Sequence, residues 1–114
     1  MSGLLLIVVI VIIVLILIWI FNSRTTMGNY QMTNTQNINI VDFAFEPPQL
    51  TINRNTRVVW TNTGSAHTVT SDAGLFDSGT LMTGQQFVQF FNNPGVYTYH
   101  CRIHPFMHGV INVQ

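Results

Sequence analysis

The residues most able to do chemistry lie in one short stretch, YTYHCRIHPFMHGV, from Tyr97 to Val110. It holds the only cysteine of the chain, Cys101, followed after a gap of two by His104 and after a further gap of two by Met107. One thiolate, one imidazole and one thioether within a single loop are three of the four ligands of a mononuclear type 1 copper centre. Such a centre has two nitrogens and a thiolate in a trigonal plane and a weak axial methionine. The second nitrogen must come from a segment distant in sequence. His67, within GSAHTVTSD, is the only histidine well upstream of the loop. Singly, each residue has an ordinary reading: a lone cysteine is usually a buried apolar side chain, and Met107 beside Phe106 could be core. Together, in a chain with four histidines and one cysteine, they point to a metal.

The ligands need a scaffold with two segments side by side, and the pattern after residue 36 supplies it. Ile38 and Ile40 alternate with asparagines, then Val41, Phe43 and Phe45 alternate on the opposite parity, so the strand bulges or bends at 40–41. Pro47-Pro48 ends that run. Leu50 and Ile52, then RVVWTN with Val58 and Trp60 inward, then HTVTS, are further strand candidates. A Gly-containing loop from Asp72 to Gly84 comes next, with apolar anchors at Leu75, Phe76 and Leu81. Strands are expected at 87–91, 96–101 and 109–113, with NNPG as a turn. About seven short strands and no helical period make this an all-β domain, an antiparallel Greek-key β-sandwich. Strand parity tests the site: Tyr97, Tyr99 and Cys101 share one face, while Val96, Thr98 and His100 take the other. Cys101 then faces the core, and His100 and His108 fall outside the ligand set.

Composition places something else ahead of this domain. The chain has 114 residues, of which 47% are hydrophobic and only 7% charged, and the excess is local. Leu4 to Phe21 contains no polar or charged side chain. As a helix it would extend roughly 27 Å, about the thickness of a bilayer core. A cleaved signal peptide fits less well, since Met1-Ser2-Gly3 carries no Lys or Arg and no A-x-A-like site comes after the apolar run. We therefore expect a transmembrane anchor over 1–22, a flexible linker over 23–36 and the β domain over 37–114. Trp19 and Phe21 would sit at headgroup level. Arg24 after the helix argues mildly against export of the β domain; the copper reading argues for it, and places the domain on the periplasmic or extracellular side. The four basic residues, Arg24, Arg54, Arg57 and Arg102, are scattered, which excludes a nucleic-acid surface. One cysteine excludes an internal disulfide.

A family becomes visible at FAFEPPQLTI, RVVWTNTGSAHTVTSD, LFDSGTL and NPGVYTYHCRIHPFMHGVI. Residues 37–114 resemble the small cupredoxins, nearest to the plastocyanin-like, halocyanin-like and amicyanin-like members. The resemblance implies a Greek-key sandwich with one copper near its end, held by His67, Cys101, His104 and Met107. It implies a one-electron carrier with redox protein partners, such as a membrane respiratory complex, and no small-molecule substrate. The gap of two between His104 and Met107 resembles amicyanin; plastocyanins have a longer one. Arg102 and Ile103 stand where many relatives carry small residues or proline. The resemblance also implies that the His104 ring reaches the surface through an apolar patch, of which Pro105 and Phe106 are local members. A copper-delivery protein or a structural subunit of a membrane complex are the alternatives. An enzyme is disfavoured: the chain has no His-x-His pair for a multicopper oxidase and only one cysteine.

Overall fold

The computed structural model describes residues 2–25 and 34–114. The chain forms two units, Met1–Met32 and Thr33–Gln114, each with its own internal contacts. In the first, helix α1 runs from Ser2 to Thr25. Its segment Gly3–Phe21 is long and apolar enough to cross a membrane, with every side chain exposed. Residues 26–33, most of the expected linker, lie outside the described residues.

Among its described residues the second unit has eight strands: β1 Asn34–Val41, β2 Ala44–Glu46, β3 Gln49–Ile52, β4 Thr56–Asn62, β5 Thr70–Ser71, β6 Gln86–Phe91, β7 Gly95–His100 and β8 His108–Val113. They form two four-stranded sheets, ordered β2-β1-β4-β6 and β3-β8-β7-β5. The sheets are mixed rather than purely antiparallel: β1 runs parallel to β4, and β3 parallel to β8. The first strand begins at Asn34, inside the stretch expected as linker. Its polar residues Asn34 to Asn37 hold their places by backbone pairing with Thr56 to Val59, a tie that side-chain alternation does not reveal. At residues 42–43 the chain turns sharply, and β2 folds back antiparallel on β1.

The core lies between the sheets. Ile38 and Ile40 meet Val58 and Trp60 from one side, and Tyr99 and Ile111 come from the other, all fully buried. Each such side chain contributes about 1.5–3 kcal/mol on leaving water. Trp60 is central, with rings of Phe87, Tyr99 and Phe76 at centroid distances of 5.7, 5.5 and 6.3 Å. One pole of the sandwich carries Asn34, Thr56, Phe91 and Val113. The other carries Val41, Asn62, Gln86 and the β7–β8 loop. Strand β1 spans the distance between them, roughly 23 Å, so the chain enters this unit at the pole opposite the β7–β8 loop.

Candidate metal centre

Cys101 comes directly after β7 and its side chain is 0% exposed. The alternation expected along this strand holds: Tyr99 and Cys101 are buried, while Val96 and Thr98 are exposed. His67 lies between β4 and β5. It is fixed by a two-way backbone bridge with Leu81, His67 N–H donating at 3.1 Å and Leu81 N–H returning at 2.7 Å. The loop from Cys101 to Met107 is closed by Cys101 N–H donating to the Met107 carbonyl (3.1 Å) and Met107 N–H to the His104 carbonyl (3.0 Å). That closure turns the three-residue spacing into a compact cup.

The result is convergence. Cys101 Sγ lies 3.7 Å from His67 Nδ1 and 3.9 Å from His104 Nδ1, and the two Nδ1 atoms are 3.2 Å apart. A point about 2.0 Å from each nitrogen and about 2.3 Å from the sulfur satisfies these separations with angles of roughly 105–130°, a nearly flat trigonal array. The donor chemistry therefore fits a copper ion of the type 1 class. Among the described residues no other group of His, Cys, Asp or Glu gathers three ligand atoms so closely. Met107 is 2% exposed and belongs to the same buried cluster as Cys101.

Around the donors is a second set of contacts. Thr68 N–H donates to Cys101 Sγ at 3.3 Å, a hydrogen bond suited to a thiolate, and Thr68 Oγ1 accepts from Arg102 N–H at 2.8 Å. Thr68 thus holds the cysteine from both sides. Arg102 continues outward to Asp77, 3.2 Å away. On the far side of His67, Nε2–H donates to Asp42 Oδ1 at 2.6 Å, which leaves Nδ1 as the bare nitrogen facing the sulfur. The same oxygen accepts from Ser65 Oγ (2.7 Å) and Ser65 N–H (2.9 Å). The Ser65 hydroxyl, then its N–H, then His67 hold the Asp42 carboxyl down at about 2.

The His104 ring is half-buried against Phe43, whose ring centroid is 4.9 Å away, with Phe106 at 6.0 Å. Phe43 and Phe106 are 54% and 66% exposed and Ile103 is also exposed, so an apolar surface frames the imidazole. Phe106 is a surface residue. Sequence reasoning named Pro105 and Phe106 for this patch but missed Phe43, Asp42 and Thr68. The one available signal was the phase change at 40–41, which marks the turn carrying Asp42 and Phe43. His100 and His108 stand apart from the donors: they are cross-strand partners on β7 and β8, and His100 Nδ1 bonds Asp72.

Comparison with known proteins now decides the family, since the cupredoxin-like domain matches residues 10–113. The chain belongs to the cupredoxin-like family. This cupredoxin is 32% identical over 83 residues to amicyanin-alpha of Methylorubrum extorquens, covering 68% of this chain and 70% of that one. It is 31% identical over 83 residues to amicyanin of Paracoccus denitrificans, covering 68% and 63%. Among solved structures it is similar to a purple cupredoxin from Nitrosopumilus maritimus, with a TM-score of 0.64 and 32% identity over 68% of this chain and 98% of that one. The cofactor of the cupredoxin is a single type 1 copper, and the broad class of chemistry is copper electron transfer.

Proposed function

We propose that this cupredoxin carries single electrons between redox proteins through one copper, which His67, Cys101, His104 and Met107 would hold. The supporting observation is the meeting of three donors from two separate segments at separations of 3.2–3.9 Å. Copper in such a set supplies a one-electron couple. The residues supply the rest. Cys101 binds as the thiolate, and the Thr68 N–H steadies its charge. Backbone hydrogen bonds tie His67 to Leu81 and close the Cys101–Met107 loop on itself, and Arg102 N–H reaches Thr68 Oγ1, which limits how far the donors can move between oxidation states. Little reorganisation then accompanies transfer. His104, framed by Phe43 and Phe106, is the port through which electrons enter and leave, and that apolar surface is the docking face. Burial of His67, Cys101 and Met107 disfavours the exchangeable site of a delivery protein.

The membrane part of the proposal rests on α1. We read it as an anchor over 1–22, joined by a linker to the copper domain, which lies on the extracytoplasmic side and meets the exposed part of a redox partner there. Tethering raises the local concentration of the domain for any partner in the same membrane. The test is a redox titration of the full chain in detergent after copper loading. One copper per chain, cycling reversibly with a one-electron slope and resisting chelators in both states, is expected. Copper that leaves to a chelator within seconds and shows no reversible couple would overturn the assignment.

A further inference from the structure

The β1–β2 turn is a third contributor to the site, besides the His67 segment and the ligand loop. Asp42 has one oxygen that receives three donors, Ser65 N–H, Ser65 Oγ–H and His67 Nε2–H. His67 is fully buried, so this carboxylate is the group that fixes its ring plane and its tautomer. Space for it is provided by Gly64. A Cβ at residue 64 would stand 2.6 Å from Asp42 Oδ1 and 3.0 Å from its Cγ and backbone N, so any larger residue would displace the carboxylate. Two separate features of the chain, the turn and the glycine, thus serve one contact.

We propose that Asp42 is a positioning residue that sets the reduction potential of the site through His67, its negative charge favouring the oxidised metal over the reduced. The physical basis is that a carboxylate behind a ligating imidazole raises the basicity of the ligand nitrogen and fixes its orientation. A more basic ligand and a nearby negative charge both favour the ion of higher charge. Partners of this kind change metal affinity by about 10–100-fold. The lower figure applies here, because the Asp42 side chain is 40% exposed and its field is screened by water.

The inference rests on the copper reading above, and the experiment separates the two. Asp42→Asn keeps an acceptor oxygen in place and removes the charge. In the full chain in detergent at fixed pH, the ratio of Cu(II) to Cu(I) affinity is expected to fall about tenfold, a rise in potential of about 59 mV for one electron. Gly64→Ala, which keeps the charge but pushes it off His67, is expected to move the ratio the same way. Glu46→Gln removes an equal charge from β2 and is expected to stay within twofold. If Asp42→Asn shifts the ratio by less than twofold, lowers the potential, or weakens both oxidation states equally, the proposal fails. A Gly64→Ala ratio unchanged from wild type also defeats it. If the wild-type chain itself gives no thiolate-to-copper absorption, the copper reading fails instead.

Discussion

Gly109→Ala tests whether the core and the metal loop are one packed unit. Gly109 lies opposite Tyr99 in the β7–β8 ladder, and the Tyr99 ring lies across it. A Cβ at 109 would come within 2.6 Å of Tyr99 Cε1 and closer still to Cζ and Oη. The ring has nowhere to go: it is fully buried, with Phe45 and Trp60 at centroid distances of 4.7 and 5.5 Å behind it. Overpacking at such a site costs about 3 kcal/mol, the upper end of the usual range. The lost glycine entropy of the unfolded chain returns about 0.5–1 kcal/mol, leaving a net loss of about 2–2.5 kcal/mol. That corresponds to a fall in Tm on the order of 10–15 °C for a domain of this size. Denaturant unfolding of the metal-free full chain in detergent, monitored by tryptophan fluorescence, measures it. In a Tyr99→Leu background the alanine is expected to cost less than about 1 kcal/mol, because its clash partner is gone. A cost below about 1 kcal/mol in the wild-type background, or an equal cost in both, would show that the Tyr99 ring is not what resists the added methyl.

Single contacts carry the other expectations. Tyr99 Oη is buried beside the Trp60 indole, short of a well-formed hydrogen bond, and burial pushes its pKa up to about 12; Tyr99→Phe should therefore change apo stability by less than about 1 kcal/mol in urea unfolding, and a larger loss would count against it. Thr68→Val leaves the N–H on Cys101 but orphans Arg102 N–H, and should cost about 1–2 kcal/mol on the same assay; a neutral result would show the bracket to be idle. The Asp72 carboxyl is held below its ordinary 3.8, first by the hydrogen bond with His100. A lowered folded pKa stabilises the fold above 3.8 and is lost as pH falls toward the folded value, so Asp72→Asn should flatten the decline in stability between about pH 5 and 3, by a small amount because the pair is solvent-exposed. Only 7% of the residues are charged, so electron exchange across the apolar surface beside His104 should vary little with ionic strength, whereas a steep fall in rate would point to charged contacts at the interface.

How far the site could be read in advance depended on what each feature imposes on side chains. Cys101 and His104 were legible as a pair because their donor chemistry is rare in this composition and their spacing suits one loop, and the structure brings both beside His67. The inward face of Cys101 was legible because strand parity has a period of two. The parallel pairs β1·β4 and β3·β8 were not. Alternation says which residues face the core, but strand neighbours are chosen by backbone hydrogen bonds that any side chain permits. For the same reason Asn34 to Gln36 looked like linker and proved to be strand. Phe43 was placed by alternation in the run with Phe45, yet it occupies the turn and stands exposed beside His104. Asp42 was illegible as a partner of His67, since a contact across 25 residues depends on which strand ends share a pole. The apolar helix was plain from composition alone.

On the proposed function, one sulfur and two imidazoles, brought together by folding, bind copper through a thiolate. Adding one equivalent of Cu(II) to the full chain in detergent and recording visible absorption and electron paramagnetic resonance tests it most directly, with Cys101→Ser alongside. The wild type should give an intense visible thiolate-to-copper band and a type 1 resonance, both lost in the serine variant. A wild type with only the weak absorption of ordinary Cu(II), or a serine variant that keeps the band, would contradict it.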